Sequence, residues 1–274
     1  MNLTPSSSFC AALTTRFQAL QPRIQQLPPP GARPLTILGR VSGWITAKAT
    51  DAVASLPGVQ VTHEAVHVQA QPALGLSLNQ VLEKIAHTLK DAGCLRGWRN
   101  ELLDVVGEGQ VLGAIERAAL RPLGLLTQAV HLNAWTPDGC LWVARRAATK
   151  TTDPDMLDTL VGGLSGAGES LDTSLLRESH EEAGLLPASL TQRTPIRIIT
   201  RMHRRLPEGY QVENALVSEC VLDASVQPCN QDGEVSEIMA LPIDEVWSRI
   251  LADEFTIEAE LVVLDSLIAR LSSK

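Results

Sequence analysis

The chain has 274 residues, 45% of them apolar and 20% charged, enough to bury two modest cores. Its net charge of −8 lacks the basic field of a general nucleic-acid binder, so an anionic ligand needs local Lys, Arg or metal to hold it. Aromatic residues make up only 3%, so the cores must rest on Leu, Val, Ile and Ala. The five cysteines, Cys10, Cys94, Cys140, Cys220 and Cys229, are widely spaced and never in C-x-x-C, which reads as reduced thiols in a cytoplasmic protein. Met1–Phe9 has neither the basic start nor the apolar run of a secretory signal, and no apolar stretch reaches membrane-spanning length.

Residues 6–21 predict a first helix, with Phe9, Leu13, Phe17 and Leu20 at helical spacing. Pro22 and the run Pro28-Pro29-Pro30-Gly31 are expected to break it. Leu35–Ile45 and Val59–Gln69 read as strands, and His63 and His67 lack a third partner that would make them metal ligands. Ser77–Lys90 predicts an amphipathic helix that opens on a Ser77/Gln80 capping box and buries Leu78, Val81, Leu82, Ile85 and Leu89. Gly97-Trp98-Arg99-Asn100-Glu101 leads into a strand over Leu102–Val106, and an Arg and a Glu beside a Trp suggest an ion pair or a domain contact. A second helix is expected near Ile115–Leu120. The boundary is placed at Arg121-Pro122-Leu123-Gly124, giving domains 1–124 and 125–274.

Beyond it, Gln128–Trp135 and Cys140–Arg145 read as strands joined by the turn Thr136–Gly139. A basic loop with Arg145, Arg146 and Lys150 follows, and Leu157–Val161 leads into a glycine-rich loop holding Gly162, Gly163, Gly166 and Gly168. That loop becomes a helix with Ser170 as N-cap, Asp172 in its first turn and Gly184 as its stop. Glu178, Glu181 and Glu182 stand at i, i+3 and i+4, so three carboxylates share one face. Such repulsion is relieved by a divalent cation. All-oxygen ligands suit Mg²⁺ or Mn²⁺, and no Cys or His joins the cluster as zinc would require. Ile196–Arg201 and Val212–Leu222 read as strands, Met202–Glu208 as a basic loop with His203, Arg204 and Arg205, and Asn230–Glu234 as a turn re-entering a strand. Pro242-Ile243-Asp244 starts a helix through Trp247–Leu251, and a long helix over Glu258–Ser272 follows.

Gly163, Glu169, Arg177, Glu178, Glu181, Glu182, Gly184 and Leu185 fall in the register of the Nudix box, and the stretch resembles it. Ser179 departs from the pattern, which has an aliphatic residue there; its hydroxyl is expected to bond back to the Leu175 carbonyl. The resemblance implies an α+β fold: a Nudix α/β/α sandwich with a mixed sheet, preceded by a small α+β domain. It also implies a small-molecule diphosphate as substrate and Mg²⁺ (or Mn²⁺) held by Glu178, Glu181 and Glu182, with the Gly163 carbonyl completing the set. Glu169 would stand behind these ligands, and Arg177 would fix a box carboxylate in its working rotamer. The general base is a box glutamate in some members and a later Glu in others, here Glu234. Arg145, Arg146 and Lys150, with Arg204 and Arg205, are candidates for neutralising phosphates.

Trp98-Arg99-Asn100-Glu101, Ala144-Arg145-Arg146 with Lys150, and Asp232-Gly233-Glu234 resemble a Nudix subgroup associated with thiamine pyrophosphokinase. Its members are linked to hydrolysis of thiamine diphosphate and its oxidised analogues, and Trp44, Trp98 and Trp135 are candidates to stack on such a heterocycle. The alternatives are an ADP-ribose, NADH or sugar-nucleotide pyrophosphatase and a catalytically silent binding module. An isopentenyl diphosphate isomerase would need a catalytic Cys in a motif not found here. Nucleic-acid and membrane partners are not expected, and monomer and dimer both stay open.

Overall fold

The first helix, α1 (Ser7–Ile24), carries Pro22 in its last turn, so the expected break comes a few residues late. A proline there removes only one backbone donor, and burial of Leu20 and Ile24 holds the turn. The computed structural model describes residues 7–272; residue 6 of the expected helix lies outside them. Next, β1 (Arg33–Ile37) and β2 (Arg40–Ile45) form a hairpin. Leu38 and Gly39 both take positive φ, as a tight two-residue turn requires, so the expected single strand over 35–45 folds back on itself. After α2 (Ala47–Val53), the stretch expected as one strand over 59–69 is likewise two, β3 (Val59–Val61) and β4 (Val66–Val68), paired antiparallel. The Thr62 hydroxyl accepts from the Ala65 N–H and closes the turn between them. The strand order is β2-β1-β4-β3. α3 (Leu78–Asp91) has the expected capping box, and its apolar stripe packs onto this sheet. β5 (Leu102–Gly107) then pairs with β6 (Gln110–Glu116). Ile115 therefore sits in a strand rather than in the expected helix, which shrinks to a 3₁₀ turn and α4 (Leu120–Leu123).

The second half is built on β7 (Leu126–Trp135), β8 (Leu141–Arg146), β9 (Leu157–Thr159) and β10 (Val161–Leu164), which lead into α5 (Leu171–Ala183). It continues through β11 (Arg197–Leu206), β12 (Gly209–Val221), β13 (Val235–Leu241), α6 (Ile243–Leu251) and α7 (Ile257–Ser272). The strands run in the order β11-β12-β7-β8-β13, with β10 added to β7 and β9 to β8. β7 and β12 are parallel while the other pairs are antiparallel, so the sheet is mixed. Alternation along β7 sorts the two faces: Val130, Leu132 and Ala134 pack toward Leu175 and Ala183 of α5. Trp135 joins the opposite core with α6 and α7. Helices cover both faces, giving an α/β/α arrangement. No described helix is long and apolar enough to cross a membrane.

One buried cluster gathers residues from Leu35 to Leu125, two more lie on the opposite faces of the mixed sheet, and α1 joins one of those two. Leu13, Leu20 and Ile24 pack with Leu261, Leu264 and Leu267 of α7. Arg16 of α1 bonds Glu260 at 2.5 Å and Asp253 at 2.6 Å. By packing, the first helix belongs with α6 and α7, beyond the boundary expected at residue 124. Within the first half, the Thr46 N–H donates to the Pro122 carbonyl at 2.9 Å and holds α4 against the end of β2. A Cβ on Gly209 (φ 149°) would overlap the Arg121 carbonyl. That close backbone approach seats α4 against β12.

Candidate functional site

β10 and α5 converge to make the box. Ser170 caps α5 by accepting from the Thr173 N–H at 3.1 Å, and Gly184 ends it in the left-handed conformation, as expected. Gly163 needs its missing side chain, because a Cβ there would overlap the Glu178 carboxyl group. Gly162 donates its N–H to Glu182 Oε2 at 2.8 Å. Arg177 gathers the rest: its Nε and Nη2 bond both oxygens of Glu169 at 2.9 Å, and its Nη1 bonds Glu178 at 2.8 Å and Glu181 at 3.1 Å. Nη2 also reaches the Leu164 carbonyl at 3.2 Å, tying the helix to β10. One guanidinium thus orients three carboxylates.

The electrostatics separate the glutamates. The Arg177 hydrogen bond holds the Glu169 carboxyl down at about 2. Burial pushes Glu178 up despite Arg177, and burial with repulsion from Glu178 and Asp158 pushes Glu182 well above the carboxylate range. Glu181 is 47% exposed on its side chain, against 14% for Glu178. Among the described residues no three carboxylates converge as a finished metal cage, because Arg177 and the Gly162 N–H draw the box glutamates to themselves. Each keeps one oxygen without a protein partner, namely Glu178 Oε2, Glu181 Oε1 and Glu182 Oε1. Carboxylates crowded into a buried site at this energetic cost fit a hard divalent cation, which would relieve it.

Beside Gly162 and Gly163 opens a cleft of about 430 Å³ whose walls hold five arginines, Arg96, Arg117, Arg121, Arg146 and Arg204. Three come from the first half of the chain. Sequence reasoning missed them; the only signal was the i, i+4 spacing of Arg117 and Arg121 at the expected boundary. Of the predicted basic residues, Arg146 and Arg204 line the cleft, paired with Asp158 and Glu258. Their chain neighbours do not. Arg145 bonds the Asp155 carbonyl at 2.8 Å, and Arg205 holds the Leu27 and Pro28 carbonyls at 2.8 and 3.2 Å. Alternation along β8 and β11 places one arginine of each pair on each face. The stretch Met202–Glu208, expected as a loop, is mostly strand, and this is what sorts Arg204 from Arg205.

Lys150 and Glu234, both proposed from sequence, form an ion pair. Burial acts to raise the Glu234 carboxyl, but Lys150, Arg117 and Arg146 outweigh it and leave it below its ordinary value. The field of Arg117 also reaches Glu178, so Glu234 and the box share one neighbourhood. The candidate tryptophans stand outside the cleft. Trp135 is in the core under the Arg270 guanidinium, Trp98 stacks on His87 at 4.8 Å, and Trp44 lines a separate cavity. Arg99 and Glu101 make the expected contacts, Arg99 to the Thr151 hydroxyl at 3.1 Å and Glu101 to Arg117 at 2.7 Å. His67 bonds Thr36 at 2.8 Å.

Ser179 is fully buried against the sheet, yet its hydroxyl has no partner, so the expected bond to Leu175 is not made. A buried hydroxyl without a hydrogen bond costs roughly 1–3 kcal/mol. Ser179→Ala is therefore expected to raise thermal stability by about 1 kcal/mol; a melting temperature lowered by several degrees would show that the hydroxyl is satisfied after all.

The NUDIX domain family model matches residues 126–262, half of the chain. Nudix hydrolase 24, chloroplastic, of Arabidopsis thaliana is 30% identical over 215 residues, spanning 70% of this chain and 57% of that protein. Nudix hydrolase 20, chloroplastic, of the same plant is 30% identical over 208 residues, 70% of this chain and 55% of that protein. The chain thus spans little more than half the length of these relatives. Among solved structures, DR0079 from Deinococcus radiodurans is 25% identical, with a TM-score of 0.46, covering 61% of this chain and 98% of that one. With the box residues in register on β10 and α5 and the family match over the whole of the mixed sheet, the chain belongs to the Nudix family.

Proposed function

We propose that this chain is a divalent-metal-dependent pyrophosphohydrolase that cleaves a phosphoanhydride bond of a small diphosphate, with thiamine diphosphate or an oxidised analogue as substrate. One observation carries the hydrolase reading: a complete set of box carboxylates on α5 packs against Gly162 and Gly163, which line a cleft holding five arginines. Phosphoryl transfer needs positioning and charge neutralisation above all, and the site offers both. A silent binding module would have no use for the carboxylates. The thiamine reading draws on the resemblance of Trp98–Glu101, Ala144–Arg146 and Asp232–Glu234 to the thiamine-associated subgroup. Likeness to the plant proteins over 70% of the chain, more than the half matched as a Nudix domain, is in keeping with it.

Glu178, Glu181 and Glu182, with the Gly163 carbonyl, would hold Mg²⁺ or Mn²⁺, which when bound neutralises phosphate charge and acidifies water. Arg177 sets the Glu178 and Glu181 carboxylates and is itself fixed by Glu169. Arg117 and Arg146 attract and orient the phosphates, and they raise the local positive potential that the chain as a whole lacks. Two carboxylates are candidates to take the proton of the attacking water: half-exposed Glu181, and Glu234, whose carboxyl Lys150 holds below its ordinary value.

Purified protein with Mg²⁺ or Mn²⁺ should convert thiamine diphosphate or an oxidised analogue to the monophosphate and inorganic phosphate, read by product mass. Release of AMP and ribose 5-phosphate from ADP-ribose would mark the other enzyme reading. If kcat/KM for ADP-ribose or NADH exceeds that for every thiamine diphosphate analogue tenfold, about 1.4 kcal/mol of transition-state preference, the thiamine reading is wrong. No turnover of any diphosphate would leave a binding module.

A further inference from the structure

A small side recess adjoins the arginine-lined cleft. It measures about 110 Å³, against about 430 Å³ for the cleft, and the two share Arg96, Arg117, Arg121 and Leu164. Arg99 lines the recess but not the cleft. Leu164 follows Gly163 in β10, and its carbonyl accepts from Arg177 Nη2 at 3.2 Å, so the recess adjoins the box. Pockets that take a whole small-molecule ligand start at roughly 300 Å³. This recess has room for one compact group.

Each of its four guanidiniums is anchored through a single nitrogen. Arg96 Nη2 donates to the Thr151 carbonyl at 2.6 Å, and Arg99 Nη2 to the Thr151 hydroxyl at 3.1 Å. Arg117 Nη1 is held by Glu101 at 2.7 Å, and Arg121 Nη1 by Glu208. The Nε and the other Nη of each have no partner among the described residues. Two carboxylates share this wall, Glu208 and Glu213. Glu208 already answers Arg121, and the Glu213 oxygens accept from the Thr127 hydroxyl at 2.7 Å and Gln211 Nε2 at 2.9 Å. Glu101 and Glu116 lie outside the wall, Glu116 accepting from the Arg99 and Ala118 backbone N–H groups at 2.7 and 3.3 Å. They temper the charge and leave the side-chain donors free. The recess thus presents guanidinium forks, whose paired N–H groups match the oxygens of a phosphate.

We propose that Arg96, Arg99, Arg117 and Arg121 form a subsite for the outer phosphate of the substrate, so that the enzyme selects diphosphates whose outer phosphate is unsubstituted. This deepens, and rests on, the diphosphate hydrolase reading. An inner phosphate brings its ester substituent with it, and the recess has no room for that group. An outer phosphate enters alone and turns three oxygens toward the guanidinium forks. A diphosphate esterified at both ends meets the recess with a bulky substituent and one acceptor fewer, so it is the poorer ligand.

Calorimetry on the full chain at low ionic strength in EDTA, where binding reports the protein's own groups, tests it with two probes: methyl diphosphate and its analogue methylated on both phosphates. The wild type should bind methyl diphosphate at least tenfold more tightly. Arg99→Gln, which leaves the cleft wall intact, should cut that preference to under threefold. Arg96→Gln supplies the same reading if that variant does not fold. Equal affinities for the two probes, no binding of methyl diphosphate, or a full preference in the folded variant each overturns the proposal. The preference without Mg²⁺-dependent turnover of any diphosphate would sink the hydrolase reading and leave the phosphate subsite standing. Turnover without the preference would sink the subsite alone.

Discussion

Glu182→Gln is expected to lower kcat/KM by on the order of a hundredfold or more while leaving the metal-free protein as stable as the wild type or more so. The two effects have opposite signs because Glu182 is costly to the apo fold. Burial and the charges of Glu178 and Asp158 push its carboxyl well above the ordinary range. A carboxyl whose folded pKa lies above its unfolded value destabilises the native state at neutral pH, and the penalty fades as pH falls. Gln keeps the shape and removes the charge, so in EDTA the variant should melt at or above the wild-type temperature. An amide does not replace an anionic ligand of Mg²⁺, so the variant should also lose the rise in melting temperature that saturating Mg²⁺ gives the wild type. Glu181→Gln should lose activity similarly but with little change in apo stability, since that side chain is half exposed. Wild-type turnover in a folded Glu181→Gln/Glu182→Gln double variant would remove the metal assignment.

What was legible in the sequence was local. The Ser77/Gln80 capping box, the Ser170 cap and the Gly184 stop involve residues within a few positions of one another, and they stand where the sequence puts them. The misreadings came where partners are distant. His203-Arg204-Arg205 looks like a solvated basic loop, yet these residues pair with Val212, Gln211 and Tyr210 of β12. Ile115 belongs to β6 and pairs with Leu103 of β5 across a turn, although the residues after it read as a helix. Nothing near α1 signals that it packs on α7, more than 230 residues away. The same limit governed the site. The box carboxylates are close in sequence and are legible there, while Arg96, Arg117 and Arg121 come from the first half of the chain and meet the box only through the tertiary fold.

Arg117→Ala should reduce kcat/KM between tenfold and a hundredfold, mainly through a higher KM. Arg117 follows β6 in the first half of the chain, yet it lines the cleft, and its charge reaches both Glu178 and Glu234. Its side chain is positioned by Glu101 at 2.7 Å, and its backbone N–H donates to the Glu101 carbonyl at 2.8 Å. The arginine is thus held ready at the mouth rather than left mobile in solvent. A guanidinium on a diphosphate in a partly desolvated cleft contributes more than an exposed pair, which is typically worth under about 1 kcal/mol. Arg205→Ala is the matched control, because that guanidinium holds the Leu27 and Pro28 carbonyls outside the cleft. It should cost some stability and leave KM unchanged. Loss of an electrostatic contact also predicts that the gap between wild type and Arg117→Ala narrows as salt rises, since ions screen the attraction in both but matter more where the charge remains. If Arg117→Ala keeps kcat/KM within twofold of the wild type, the first half of the chain does not reach the phosphates through this residue, and the other arginines of the cleft, Arg96, Arg121, Arg146 and Arg204, must neutralise them.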